Sequence, residues 1–270
     1  MKEILNRAKT FSWTSLSYVD LDDILDYQTY PSNDYILLHH LKDDVVFLHF
    51  AAHDEKPLVK GIQEVIKFYQ NNHKLKLEIR IEFIPCSWVK GFEEVGFVIS
   101  SHFVDYWLKP LKKYNFGFRS DLKIDELQKD EYEAFAKITQ ENRLLSRGYY
   151  GEPLDFAESF LSLEHTKIYT AKLKDELVGV CATKIYNFEH KDGPILWLRE
   201  VAVKPKYHQK GIGQSMMIYA LNAGFDLGAR QSFLSCDCDN QSGIKLYEKL
   251  GYRRNNDPGQ INMIFHTYFY

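Results

Sequence analysis

The sequence has little that would tie it to an oxidising compartment, a membrane or nucleic acid. Only four cysteines occur in 270 residues, Cys86, Cys181, Cys236 and Cys238. They make no disulfide framework in a chain this long, so reduced thiols in a cytoplasmic protein are expected. Cys236-Asp237-Cys238 lacks a second ligand pair at metal-site spacing, and no metal is expected. No apolar run approaches the length of a membrane span. The opening stretch MKEILNRAKTFSWTS has no apolar signal-peptide core. No basic stripe is present, and the net charge of −3 gives no general attraction to nucleic acid or anionic membrane. The phosphate-loop pattern G-x-x-x-x-G-K-[ST] is missing. The one G-x-G pair before an apolar run, in YHQKGIGQSMMIYAL (207–221), has Met216 where a dinucleotide fingerprint needs its third glycine.

What is there is an ordinary globular composition, 45% hydrophobic and 26% charged, enough to bury a substantial core. From residue 116 onward, strand-like and helix-like periods alternate. FGFRSDLKI (116–124) reads as a strand, DELQKDEYEAFAKITQENRLL (125–145) as a helix and LDFAESFLSL (154–163) as a second helix. KIYTAKL and LVGVCATKIYNF form a hairpin, and ILWLREVAV (195–203) is a third strand, ended by Lys204-Pro205. A helix over 212–226, a strand over 231–238, a helix N-capped by Asn240 and ended by Gly251, and a strand over 261–270 follow. The fold class is mixed α/β, with a mixed sheet. In the first 115 residues, strands at 45–51, 75–84 and 98–108 flank helices at 56–72 and 88–97. KGFEEVGF (90–97) echoes KLYEKLGY (245–252) in sequence and in the order of neighbouring elements. The chain therefore reads as an internal repeat, with domains 1–115 and 116–270 and an eroded first copy.

Glycines ahead of a helix allow left-handed backbone and close approach of a ligand. The free N–H groups of the first turn, at the positive end of the helix dipole, suit an anion. Lys210, and His208 when protonated, add positive charge. From LREVAVKPKYHQKGIGQSMM through CDNQSGIKLYEKLGY, the sequence resembles the GNAT superfamily of acyl-CoA-dependent N-acyltransferases. Val201, Val203 and Pro205 stand in the family's strand motif, and Gly211 and Gly213 in its loop. Asn240, Leu246, Tyr247, Glu248, Lys249, Leu250, Gly251 and Tyr252 stand in its second motif. The departures are His208 in place of Arg or Gln, and Gly243 in place of Ala.

The resemblance implies a GNAT-like fold in the C-terminal domain, a partial one in the N-terminal domain, and transfer of an acetyl group from acetyl-CoA to an amine. It implies that Val201, Ala202 and Val203 run beside the pantetheine arm. His208, Gln209, Lys210, Gly211, Ile212, Gly213 and Gln214 would hold the pyrophosphate, with Asn240 and Tyr247 nearby. Tyr247 is the general acid by position, since a phenol of pKa ~10 can protonate the departing thiolate. Glu200 is the candidate base; strand alternation puts it with Leu198 and Ala202, opposite Arg199, Val201 and Val203. By family topology the loop between the first two helices lines the acceptor site. Arg147, Tyr149 and Tyr150 are its candidate contacts, Arg147 for a carboxylate or phosphate. A non-catalytic acyl-CoA-binding or sensor module on the same fold is the alternative, with a nucleic-acid-binding protein as a third reading. A monomer or homodimer is expected.

Overall fold

The computed structural model describes residues 1–19, 22–30, 32–72, 76–116 and 118–267. The parts of the expected strands that fall on Leu75, Gly117 and 268–270 lie outside them. In chain order the elements are α1 (Lys2–Ala8), β1 (Trp13–Thr14), β2 (Gln28–Tyr30), β3 (Tyr35–Lys42), β4 (Val45–Ala52), α2 (Glu55–Asn72), β5 (Glu78–Ile84), α3 (Val89–Glu94) and β6 (Val98–Leu108). Then come β7 (Lys123–Glu126), α4 (Tyr132–Glu141), α5 (Phe156–Leu161), β8 (Thr166–Leu173), β9 (Glu176–Tyr186), β10 (Ile195–Val203), α6 (Ile212–Asp226), β11 (Gln231–Asp237), α7 (Gln241–Lys249), β12 (Arg253–Arg254) and β13 (Gln260–His266).

The chain divides into two compact units, Met1–His102 with Pro258–Tyr270, and Phe103–Asp257. The expected division at 115/116 differs from this because two strands cross over in sequence. β13, at the end, pairs with β5 of unit 1. Residues 103–108 of β6 pair with β11 of unit 2. Each unit thus takes one strand from the other's stretch of sequence.

In unit 2 the strands run β7-β8-β9-β10-β11 and then the second part of β6. β10 and β11 are parallel, and the other neighbours antiparallel. One face packs α6 through Met216, Met217 and Leu221; the other packs α4 and α5 through Phe135, Ile138 and Phe160. Each such buried side chain contributes about 1.5–3 kcal/mol. α6 is apolar nearly all round because it lies in the core, with Ile212, Met216, Ile218 and Ala220 all buried. The helix expected over 125–145 is shorter. Asp125 and Glu126 extend β7 against β8, and a capping box between Gln128 and Glu131 starts the helical turns.

In unit 1 the order β2-β3-β4-β5-β13 repeats this plan. β3 and β4 are antiparallel, and β4 and β5 parallel, as β9, β10 and β11 are. The echoed segments end alike. Gly96 and Gly251 have φ of +96° and +94°. The amide of Phe97 donates to Phe92 (3.1 Å), and that of Tyr252 to Tyr247 (3.0 Å). Phe97 and Tyr252 are both buried.

Candidate active site

The site of interest lies in unit 2, where β10 and β11 part. Their ladder pairs Ile195–Trp197 with Gln231–Phe233 and then stops, although β10 runs on to Val203 and β11 to Asp237. Beyond Trp197, the β11-side edge of β10 has no strand partner among the described residues. Backbone polar groups on such an edge need partners. The Val203 carbonyl accepts from the Asn142 amide (3.0 Å) and from the His208 ring Nε2 (2.7 Å). His208 therefore ties the loop to the strand it follows.

β10 carries a bulge at Arg199, since Leu198 faces Thr183 of β9 and Glu200 faces its neighbour Ala182. The bulge corrects the expected face assignment. Leu196 and Leu198 pack with the α6 cluster, but after the extra residue Val201 and Val203 join that cluster and Ala202 joins the α4–α5 side. Glu200 is turned away from Leu198 and toward the loop that follows α4.

That loop is held down. The Glu152 amide donates to the Thr139 hydroxyl (2.9 Å), and the Gln140 side chain donates to the Glu152 carbonyl (2.9 Å). The Glu152 carboxylate pairs with Arg199 (2.9 Å). Glu200 is 7% exposed. Burial, with the negative charge of Glu152, pushes its carboxyl up to about 7, against the opposing pull of Tyr149 and Arg199. The Tyr149 hydroxyl lies toward Glu200, buried and without a hydrogen bond of standard geometry. Tyr150 is 45% exposed on the same loop, under Arg143.

Arg147 does not reach outward. It bonds both carboxylate oxygens of the buried Asp237 (3.1 and 3.2 Å), the Cys238 sulfur (3.3 Å) and Asp239 (3.0 Å). Its guanidinium pins the loop to the end of β11 and is occupied by this protein's own carboxylates.

Tyr247 stands on α7, its ring 6.1 Å from that of Tyr106 and 6.4 Å from that of Tyr252. Burial raises its phenol, and Cys236 and Glu200 raise it further through their charges. Asn240 caps α7, accepting from the Gly243 amide (3.0 Å). A Cβ at Gly243 would lie 2.8 Å from the Asn240 side chain, so the capping side chain takes the space that alanine would need.

Between β10 and α6, Gln209 and Gly211 adopt left-handed backbone with φ of +59° and +78°. The turn points the first amides of α6, those of Ile212, Gly213 and Gln214, out of the helix end. Around them cations are only partly neutralised. Lys204 and Lys206 pair with Glu176 (3.1 and 2.9 Å). Tyr207 also donates to it (2.6 Å), and these three partners hold the Glu176 carboxyl down at about 2. Lys210 lies 5.2 Å from the Tyr207 ring and donates to the Lys206 carbonyl. Gln214 accepts from Lys249 of α7 (2.8 Å). Sequence reasoning missed Arg119, whose guanidinium bonds the Lys210 carbonyl and Asp121 and whose amide bonds Ser215. It also missed Asn142 and Glu152, which no local pattern marks, and weighed Asp237 only within the Cys236-Asp237-Cys238 stretch.

The sequence profile of the Acetyltransferase (GNAT) family matches residues 124–252. Solved structures share the fold. A GCN5-related N-acetyltransferase from Sphaerobacter thermophilus superposes with a TM-score of 0.59 at 12% identity, over 86% of this chain and 76% of that one. One from Anabaena variabilis gives 0.60 at 12%, over 97% and 68%. One from Kribbella flavida gives 0.54 at 14%, over 89% and 90%. At these identities the likeness is one of fold. With the profile match, the splayed strands and the glycine turn at the head of α6, residues 124–252 are a domain of the acetyltransferase (GNAT) family.

Proposed function

We propose that this protein transfers the acetyl group of acetyl-CoA to a primary amine by direct attack. The observation that carries the reading is the parting of β10 from β11 beyond Trp197, with the buried Glu200 on the freed stretch of β10, followed by a helix end that suits a pyrophosphate. The amides of Gly211 to Gln214 would receive the pyrophosphate, with Lys210 close by. The edge of β10 from Val201 to Val203 would run along pantetheine as a strand runs along its neighbour.

The amine must lose a proton before it attacks, because an alkylamine of pKa ~10.4 is mostly protonated at neutral pH. Glu200, raised to about 7, is substantially ionised there and still basic enough to take that proton. The new N–C bond forms as the C–S bond breaks. Tyr247 delivers its phenolic proton to the departing sulfur. Its raised pKa keeps it protonated until that moment. Tyr149 and Tyr150, on the loop beside Glu200, are the proposed acceptor contacts. Arg147 is proposed as the group that positions this loop.

Calorimetric titration with acetyl-CoA, with CoA and ATP in parallel, tests the binding half of the proposal. Saturable binding of acetyl-CoA and CoA is expected, and absence of both in folded protein would overturn it. Thiol release over a panel of amines tests the chemistry. Acetyl-CoA binding without turnover by any amine would favour the sensor reading.

A further inference from the structure

Unit 1 contains the same parting of parallel strands, and there the space along the edge is taken. The β4–β5 ladder pairs Val45–Leu48 with Glu78–Ile81 and stops, while β4 continues to Ala52. β3 covers one edge of β4 along its whole length. On the other edge, past the end of the β5 ladder, lies β1, antiparallel, with Trp13 opposite Ala52 and Thr14 opposite Ala51. The Ser15 amide donates to the Phe50 carbonyl (3.0 Å), and the Phe50 amide donates to the Ser15 hydroxyl oxygen (2.9 Å). The Thr14 hydroxyl adds a bond to the same carbonyl (3.0 Å), and the Ser12 amide reaches the His53 ring (3.3 Å). The segment then crosses toward β5, where Tyr18 stacks on Phe83 with ring centroids 4.0 Å apart and planes 4° apart. Trp13 meets Trp88 edge-on at 6.3 Å.

Counting back from the strand ends, Phe50 to Ala52 of β4 correspond to Val201 to Val203 of β10. We infer that the arm Phe11–Tyr18 is the built-in occupant of unit 1's strand cleft, bound by strand addition where unit 2 would run alongside an acyl-CoA, so that each chain takes one acyl-CoA and not two. A second feature agrees. β4 joins α2 through two residues, His53 and Asp54, whereas eight residues join β10 to α6. Asp54 and Glu55 put negative charge at the head of α2, which opposes an anion there. The cleft of unit 1 is a peptide site, and its ligand belongs to the same chain.

The stoichiometry rests on the acyl-CoA reading of unit 2; the seating of the arm does not. Hydrogen exchange on the full chain, with and without acetyl-CoA, separates the two. Phe50 and Ala52 should exchange slowly in the free protein and stay unchanged on adding acetyl-CoA, while amides of 201–203 slow. In Trp13→Ala/Ser15→Pro, Phe50 and Ala52 should exchange at least tenfold faster, with unit 2 unaffected. The free peptide FSWTSLSY should restore their protection. Ser15→Ala keeps the backbone and removes only the hydroxyl that accepts from the Phe50 amide and donates to the Phe50 carbonyl (3.5 Å), so it serves if the double variant fails to fold; Phe50 should then exchange faster. Equal exchange at Phe50 in wild type and Ser15→Ala, or saturation at two acetyl-CoA per chain, overturns the inference. No acetyl-CoA effect at 201–203 counts against the function proposed for unit 2 and leaves the arm to be judged by the variants.

Discussion

The bulge at Arg199 sets where Glu200 points, and the role proposed for it as a base is testable by pH. If its ionised form accepts the amine's proton, kcat/KM should fall as pH drops below about 7, and Glu200→Gln should flatten that limb while slowing turnover roughly 10²-fold or more. Its stability effect has the opposite sense. A carboxyl whose pKa is raised by folding is held most favourably when protonated, so its contribution declines as pH rises from the usual carboxylate range to about 7. Glu200→Gln should therefore raise Tm at pH 8, and the gain should vanish near pH 4. Tyr247→Phe should cost roughly 10²-fold in kcat and leave the acetyl-CoA Kd within about twofold, by stopped-flow and calorimetry. Arg147→Ala removes the cationic partner of a carboxylate with no exposed side-chain surface, which the Asp239 amide also reaches (2.9 Å). About 3 kcal/mol of stability should be lost in urea titration, and Arg147→Ala/Asp237→Asn should recover part of it.

At the scale of elements, the head of α6 makes two glycines unequal. Gly211 sits at φ +78°, where a side chain strains the backbone by about 1 kcal/mol. Gly213 has ordinary space, its would-be Cβ 3.6 Å from Leu246. Gly211→Ala should lower Tm and weaken acetyl-CoA binding together. Gly213→Ala should leave Tm unchanged, so that any loss of affinity there reports contact with the ligand itself. Most of these elements were legible in the sequence because their signals are local. Periodicity and Gly211 place α6 over 212–226, and Asn240 and Gly251 bracket α7. The bulge at Arg199 was not legible. It is defined by register against β9, and nothing in ILWLREVAV distinguishes nine regular residues from nine with one extra. The arm was hidden for the same reason, since two residues of strand make sense only beside the β4 edge they cover. Arg147 looked like a substrate contact because its partners, Asp237 and Asp239, lie some ninety residues away.

For the molecule as a whole, burial sorts the four thiols. Cys86 is exposed, Cys238 half-buried beside Arg147, and Cys181 and Cys236 buried. Burial pushes the Cys236 thiol up to about 12. A disulfide reagent should find Cys86 quickly and Cys238 slowly, with the last two reacting only on unfolding. The crossing of strands between the two stretches of sequence has a consequence for synthesis. Every residue of unit 2, through Asp257, is translated before β13, the strand that completes the β5 edge of unit 1. On the ribosome the second unit can therefore close while the first, although made earlier, still waits with an unpaired edge for residues 260–266. During that interval unit 2 is finished and unit 1 depends on a strand still to be made.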